Sequence, residues 1–150
     1  MKKAVRAIIV DKDNILLMKR EKFGSKYYTL IGGHVELGES LEKALIREIY
    51  EETMIRTSDH KLVYIEETGE PYGTQYVYTC KYISGTPMLH SDSDEKRINK
   101  AGKNLYMPMW VPISKLPDIT FRTTKLQKRL IKHLKQGFPA KVGQFKSDVE

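Results

Sequence analysis

The sequence predicts one mixed α+β sandwich. Three observations carry this. Segments with the alternation or β-branched content of strands outnumber segments with helical periodicity, and turn-forming residues that suit hairpins join several of them. The 150 residues fit one domain with one core, and no repeat, low-complexity tract or linker divides them. Strands do not alternate regularly with helices, so a mixed sheet covered by helices is expected instead of a βαβ array.

Val5 to Val10 and Ile15 to Met18 are apolar, β-branched or leucine-rich, and Asp11, Lys12, Asp13 and Asn14 separate them. Such turn residues predict a hairpin. Tyr27 to Leu30 is a third strand, expected to stop at Gly32 and Gly33. Ser40 to Thr53 reads as a helix, with Ser40 as N-cap and Glu42 in the first turn, where the helix dipole favours a carboxylate. Leu62 to Glu67 and Gln75 to Ile83 are two more strands, joined over a turn at 69–73. Met109 to Ile113 is a short strand around Trp110. Thr123 to Gln136 is a second amphipathic helix, with Leu126, Leu130, Ile131 and Leu134 on one side and Gly137 at its end. Residues 1–137 thus make the domain. Residues 138–150 have little periodicity and are expected as a loosely ordered tail.

The bulk numbers narrow the function classes. The hydrophobic fraction is 40% and the charged fraction 30%, an ordinary globular composition. No apolar run approaches the roughly 20 residues of a membrane helix. The first apolar run is short, holds Arg6 and lacks a small-residue cleavage site, so a cytoplasmic protein without a membrane partner is expected. A lone Cys80 excludes an internal disulfide and reads as a small core or sheet residue. None of the four histidines has metal-ligand spacing to another. The net charge of +7 attracts anions, whether nucleic acid, membrane phosphate or phosphorylated small molecules. Lys125, Lys128, Arg129, Lys132 and Lys135 read as one solvated helix face, so charge alone does not choose among these.

The chemistry lies in residues 32–55. Gly32 and Gly33 allow close approach of backbone to a ligand. On a helical wheel, Leu41, Ala44 and Leu45 define an inward stripe. Glu48 and Glu52 fall on that stripe, Glu51 lies at its edge, and Ile46 and Tyr50 face away. Inward carboxylates repel one another and are costly to bury without a cation. Arg47 is one candidate, though it leaves the helix beside Glu51. A divalent ion with all-oxygen ligands, Mg²⁺ or Mn²⁺, fits the cluster better. Taken alone, the three glutamates also suit a solvated acidic patch.

Gly33, Glu39, the run Arg47-Glu48-Ile49-Tyr50-Glu51-Glu52-Thr53 and Ile55 together resemble the Nudix box. Gly32, Glu36 and Gly38 match its extended form. The box spans a sixth of the chain. A preceding hairpin, the approach through Tyr28, Thr29 and Leu30, the strand at Trp110 and a closing helix are also similar to family members. Two positions depart from the pattern. Ile31 stands where proline is usual before the glycines. Met54 stands at the box's last glycine, a helix-terminating position that implies positive φ and about 1 kcal/mol of strain for methionine.

The resemblance implies a Nudix-type α/β/α sandwich with a mixed β-sheet, and a metal-dependent pyrophosphohydrolase. It implies Glu48, Glu51 and Glu52, with the carbonyl of Gly32, as ligands of Mg²⁺ or Mn²⁺. It implies Arg47 as the residue that orients a glutamate, and Glu39 as a brace for the loop. Glu95, between Ser91 and Arg97, is the candidate for a further carboxylate from a later loop; a solvated charged loop is the alternative. Lys19 and Arg20 are candidates for contact with substrate phosphates, or are simply solvated. Tyr28, Tyr76 and Tyr78 are candidates for stacking on a base.

The expected partner is a phosphorylated small molecule, first a nucleoside triphosphate, including oxidised forms such as 8-oxo-dGTP. ADP-ribose or a nucleotide sugar is the alternative, because Pro71 lies sixteen residues beyond Ile55, near a family marker for ADP-ribose hydrolysis. Proline in the 69–73 turn needs no functional reason, however. A nucleotide-binding domain that does not cleave is a further alternative, against which the intact glutamate set argues. Nucleic acid is disfavoured, since the even spacing of Tyr76, Tyr78 and Tyr82 is equally that of one sheet face. A monomer or homodimer is expected.

Overall fold

The computed structural model describes residues 2–148, apart from 92 and 101. Strand β1 (Lys3–Asp11) turns back into β2 (Asn14–Lys22), with Val10 opposite Ile15 and Asp11 opposite Asn14. The turn residues do what the sequence predicted, and Lys12 takes the left-handed conformation that closes the hairpin. Strand β3 (Ser25–His34) pairs antiparallel with β2 through its first half and with β1 through its second. It does not stop at the glycines: Gly32 and Gly33 lie in register with Arg6 and Val5. A Cβ on Gly32 would lie 1.9 Å from the Val5 carbonyl oxygen, so only glycine lets the strands approach here.

Helix α1 (Leu41–Thr53) follows, then β4 (Arg56–Glu67) and β5 (Thr74–Ser84), an antiparallel pair joined over the predicted 69–73 turn. Next come α2 (Asp94–Lys100), β6 (Asn104–Pro112), a 3-10 turn (Ile113–Asp118), α3 (Thr124–Gln136) and β7 (Gly143–Lys146). The sheet order is β6-β2-β3-β1-β5-β4-β7. β1 runs parallel to β5 and antiparallel to β3, so the sheet is mixed.

Side-chain alternation divides the core into two layers. Val5, Ala7, Ile9, Leu16 and Met18 point to one face, under Ala44, Leu45 and Ile49 of α1. Ile8, Ile15, Leu17, Leu30 and Val77 point to the other, under Leu126 and Leu130 of α3 and Leu116 of the 3-10 turn. The result is an α/β/α sandwich, as the sequence predicted. Cys80 is a buried member of the first layer, and burial pushes its thiol up to about 12, out of reach as a nucleophile.

Two segments differ from expectation. The stretch around Glu95 is a helix, capped by the Ser93 hydroxyl, which accepts from the Lys96 N–H at 3.1 Å. The C-terminal stretch is not a loose tail through Lys146. β7 adds in parallel to the edge of β4, and Phe145 packs edge-on against Tyr64. Its four residues are too short to show a period, so only pairing with an existing edge reveals the strand. Residues 149 and 150 of the expected tail lie outside the described residues. Among the described residues no helix is long and apolar enough to cross a membrane.

Candidate active site

Local sequence fixes the ends of α1. The Ser40 hydroxyl accepts from the Lys43 N–H at 3.2 Å, and Met54 closes the helix in the left-handed conformation (φ 56, ψ 17), its N–H donating to the Tyr50 carbonyl. Between these ends Ala44, Leu45 and Ile49 dock the helix on the sheet. The same stripe then continues as Glu48 and Glu52, which are 7% and 3% exposed, while Ile46 and Tyr50 face solvent. The helical wheel placed all of these correctly.

Backbone closeness explains how Glu48 and Glu52 are buried. The Gly32 N–H donates to Glu52 Oε1 at 2.8 Å. A Cβ on Gly33 would lie 2.7 Å from the carboxylate of Glu48. The two glycines are thus the surface on which the carboxylates rest. A third carboxylate arrives from α2. Asn99 exchanges hydrogen bonds with the backbone of Tyr106 at 2.8 and 2.7 Å, and the His90 N–H donates to the Glu51 carbonyl at 2.8 Å. These bonds tie α2 to β6 and its approach loop to α1, and Glu95 is delivered between them. Glu48, Glu52 and Glu95 each present an oxygen within 4.8 Å of the others.

Such convergence is unfavourable without a cation. Burial, then repulsion from its neighbours, raises Glu52 well above the ordinary carboxylate value. Burial raises Glu48 to about 7 although Arg47 opposes it. Glu95 is raised in the same sense, again first by burial. Three carboxylate oxygens of this hardness and spacing, two on buried glutamates and one on half-buried Glu95, fit a divalent ion such as Mg²⁺ or Mn²⁺.

Arg47 braces the cluster from one side. Its Nε donates to Glu39 Oε2 at 2.7 Å and its second terminal nitrogen to Glu39 Oε1 at 2.9 Å, a bidentate pair. The same group reaches the His34 carbonyl at 3.0 Å. The other terminal nitrogen donates to Glu48 Oε1 at 2.9 Å and Glu51 Oε2 at 3.3 Å. The expectation that Arg47 stays beside Glu51 and away from Glu48 is corrected here. One guanidinium serves both, because Glu48 bends towards Gly33. Glu39 is a loop brace, accepting from the Glu36 N–H as well, and its carboxyl is held down to about 2, chiefly by Arg47.

A cleft of about 660 Å³ opens over these groups. Glu51 lines it but turns to Arg47, and it is not one of the three converging carboxylates. Gly32 lines it too, its carbonyl accepting from Arg6 at 3.1 Å. Of the expected substrate residues Arg20 lines the cleft, whereas Lys19 and Tyr28 do not. Hairpin register decides this. Arg20 stands opposite Tyr27 and Lys19 opposite Tyr28, so the two pairs face opposite sides of the sheet. Tyr28 instead packs against the α3 layer. Tyr76 and Tyr78 pack in the α1 layer, away from the cleft. The cleft's aromatic residues are Tyr27, Tyr72 and Tyr106. Sequence reasoning missed these and Arg122. For Tyr27 the alternation with Arg20 along the hairpin was the available clue.

Fold and cleft together define a three-layer domain with an acidic, cation-seeking site built from α1 and α2. The chain belongs to the NUDIX family: the family model for the NUDIX domain matches residues 1–134. It is 28% identical over 107 residues, 71% of its length, to the NAD-capped RNA hydrolase NudC of Edwardsiella ictaluri. It spans only 37% of that relative. Among solved structures, a NUDIX hydrolase from Nitrosomonas europaea superposes with a TM-score of 0.74 at 20% identity, covering 99% of this chain and 79% of the other. An ADP-ribose pyrophosphatase from Streptococcus suis superposes with a TM-score of 0.66 at 17% identity, covering 97% and 98%. These two likenesses are of fold.

Proposed function

We propose that this domain hydrolyses a phosphoric anhydride bond in a nucleotide-type substrate, with Mg²⁺ or Mn²⁺ held by Glu48, Glu52 and Glu95. The observation that carries this reading is the convergence of those three carboxylates at the floor of an arginine-bearing cleft. The ion supplies neutralisation of the diphosphate charge and acidification of water. The chain's own residues do the rest. Gly32 and Gly33 hold Glu52 and Glu48 in place. Arg47 fixes Glu48 and Glu51 by hydrogen bonds, and so holds Glu48 where it meets Glu52 and Glu95. A carboxylate of this group accepts the proton of water as it attacks phosphorus in line. Arg20 faces the phosphates from β2.

The preferred substrate is a nucleoside triphosphate, the first of the substrates expected from the family resemblance. One observation favours a second reading, a diphosphate flanked by two organic groups, as in ADP-ribose or NAD. Tyr72, next to Pro71, lines the same cleft as the carboxylates and offers an aromatic face beyond them. The names of the Edwardsiella and Streptococcus proteins agree with it. The test is kcat/KM for dGTP, 8-oxo-dGTP and ADP-ribose with saturating Mg²⁺ and with chelator. Metal-dependent turnover of a triphosphate supports the reading. A tenfold preference for ADP-ribose reverses the substrate ranking, and no metal-dependent turnover of any nucleotide refutes the reaction.

A further inference from the structure

Two of the arginines that line the cleft are arranged on aromatic rings. The Arg122 guanidinium carbon lies 4.0 Å from the centre of the Tyr27 ring. Arg20 lies 5.7 Å from that same centre and 3.6 Å from the centre of Tyr106. Arg20 is partly engaged: its Nε donates to the Leu105 carbonyl at 3.3 Å and a terminal nitrogen bonds to Asn104. Arg122 is different. Among the described residues its guanidinium has neither a hydrogen-bond acceptor nor an ion-pair partner, although it is half-buried. Glu66 also lines the cleft, but its buried carboxylate makes no ion pair with Arg122 and accepts instead from Thr123 and, at 2.6 Å, from Ser147.

The backbone around Arg122 is pinned. Its own N–H donates to the Tyr28 carbonyl at 3.0 Å, and the Tyr28 N–H donates to the Thr120 carbonyl at 2.8 Å. One residue later, Thr123 caps α3, accepting from the Leu126 N–H at 3.2 Å. Position 122 is thus fixed by main-chain bonds, and the side chain is free of structural duty beyond its contact with Tyr27. A guanidinium held over a ring face by a cation–π contact still has N–H groups for a bidentate acceptor. Two cations sharing one ring repel each other, and an anion in the cleft relieves that repulsion.

We propose that Arg122 is a substrate-binding residue that grips, by its in-plane N–H groups, a phosphate beyond the diphosphate held at the carboxylates. This deepens the proposed function and rests on that reading of the cleft. Substrates that carry a further phosphate gain this contact, and those that end in an uncharged group do not.

The test is calorimetric binding of a non-hydrolysable triphosphate to the full chain with saturating Mg²⁺, so that it stands apart from turnover. Arg122→Gln is expected to weaken binding tenfold or more. Arg122→Lys, which keeps the charge but loses the planar fork, is expected to fall between. Circular dichroism establishes that both variants are folded. With a triphosphate substrate the loss is expected in KM and not in kcat. Wild-type affinity in Arg122→Gln overturns the proposal, as does a loss confined to kcat or an absence of triphosphate binding to the wild type. Failure of the wild type to hydrolyse nucleotides while binding triphosphate through Arg122 refutes the reaction but leaves this contact standing.

Discussion

The Gly32 N–H donates to Glu52 Oε1 at 2.8 Å, so a strand backbone holds a carboxylate that is 3% exposed on the facing helix. The bond positions the oxygen and compensates part of its burial. Glu52→Gln keeps an acceptor for Gly32 and changes only the charge. It is expected to lower kcat by about two orders of magnitude or more with an unchanged circular dichroism spectrum. Near-normal turnover would return the acidic face to a solvated patch.

The three carboxylates that converge come from α1 and α2, with Glu51 outside the group. Glu95→Gln is therefore expected to weaken Mn²⁺ affinity by roughly 10–100-fold, and Glu51→Gln by much less. Saturating metal should also raise Tm, since an ion at 100 times its Kd stabilises the native state by about 2.7 kcal/mol. Titration calorimetry and thermal melts with and without chelator read both. Equal losses in the two variants would place Glu51 among the ligands.

Met54 takes φ 56, the conformation the sequence predicted from its place at the box's last glycine. Left-handed geometry costs a side-chain-bearing residue about 1–2 kcal/mol. Glycine removes that cost but adds freedom to the unfolded chain. The expected net effect of Met54→Gly is stabilisation of about 1 kcal/mol, or roughly 2–4 °C in Tm. A lower Tm would mean that the methionine side chain contributes more packing than the strain takes away.

Glu39 has its carboxyl held down to about 2 from an ordinary 4.5, first by its hydrogen bonds to Arg47. A depressed folded value means that the native state binds the proton less tightly than the unfolded one. Its contribution is complete above 4.5 and fades as pH falls towards 2. Glu39→Gln should thus be less stable than wild type by roughly 1–2 kcal/mol at pH 7, and the gap should close on acidification through that window. Denaturant melts at pH 7, 4 and 2.5 measure it. A gap independent of pH would show that packing, not charge, is what the substitution removes.

The helix and its chemistry were legible because they are local. Ser40, the apolar stripe, Glu48, Glu52 and the odd Met54 all lie within one stretch whose period of 3.6 fixes which side chains share a face. The strands were legible as segments, but their ends were not. Pairing extends β2, β4 and β6 beyond their apolar cores, because a neighbouring strand satisfies backbone groups whatever the side chains are.

Alone, the sequence determined the family resemblance, the sandwich, the inward carboxylates and the left-handed helix end. Tertiary structure decided which groups meet. It chose Glu95 as the third converging carboxylate, through Asn99 and β6. It chose Tyr27 and Arg20 over Tyr28 and Lys19, since a shift of one residue in hairpin register moves a side chain to the opposite face. It brought Arg122 over Tyr27 and recruited the C-terminal residues as β7. Each of these depends on contacts between residues far apart in the chain, which leave no period or spacing in the sequence to read.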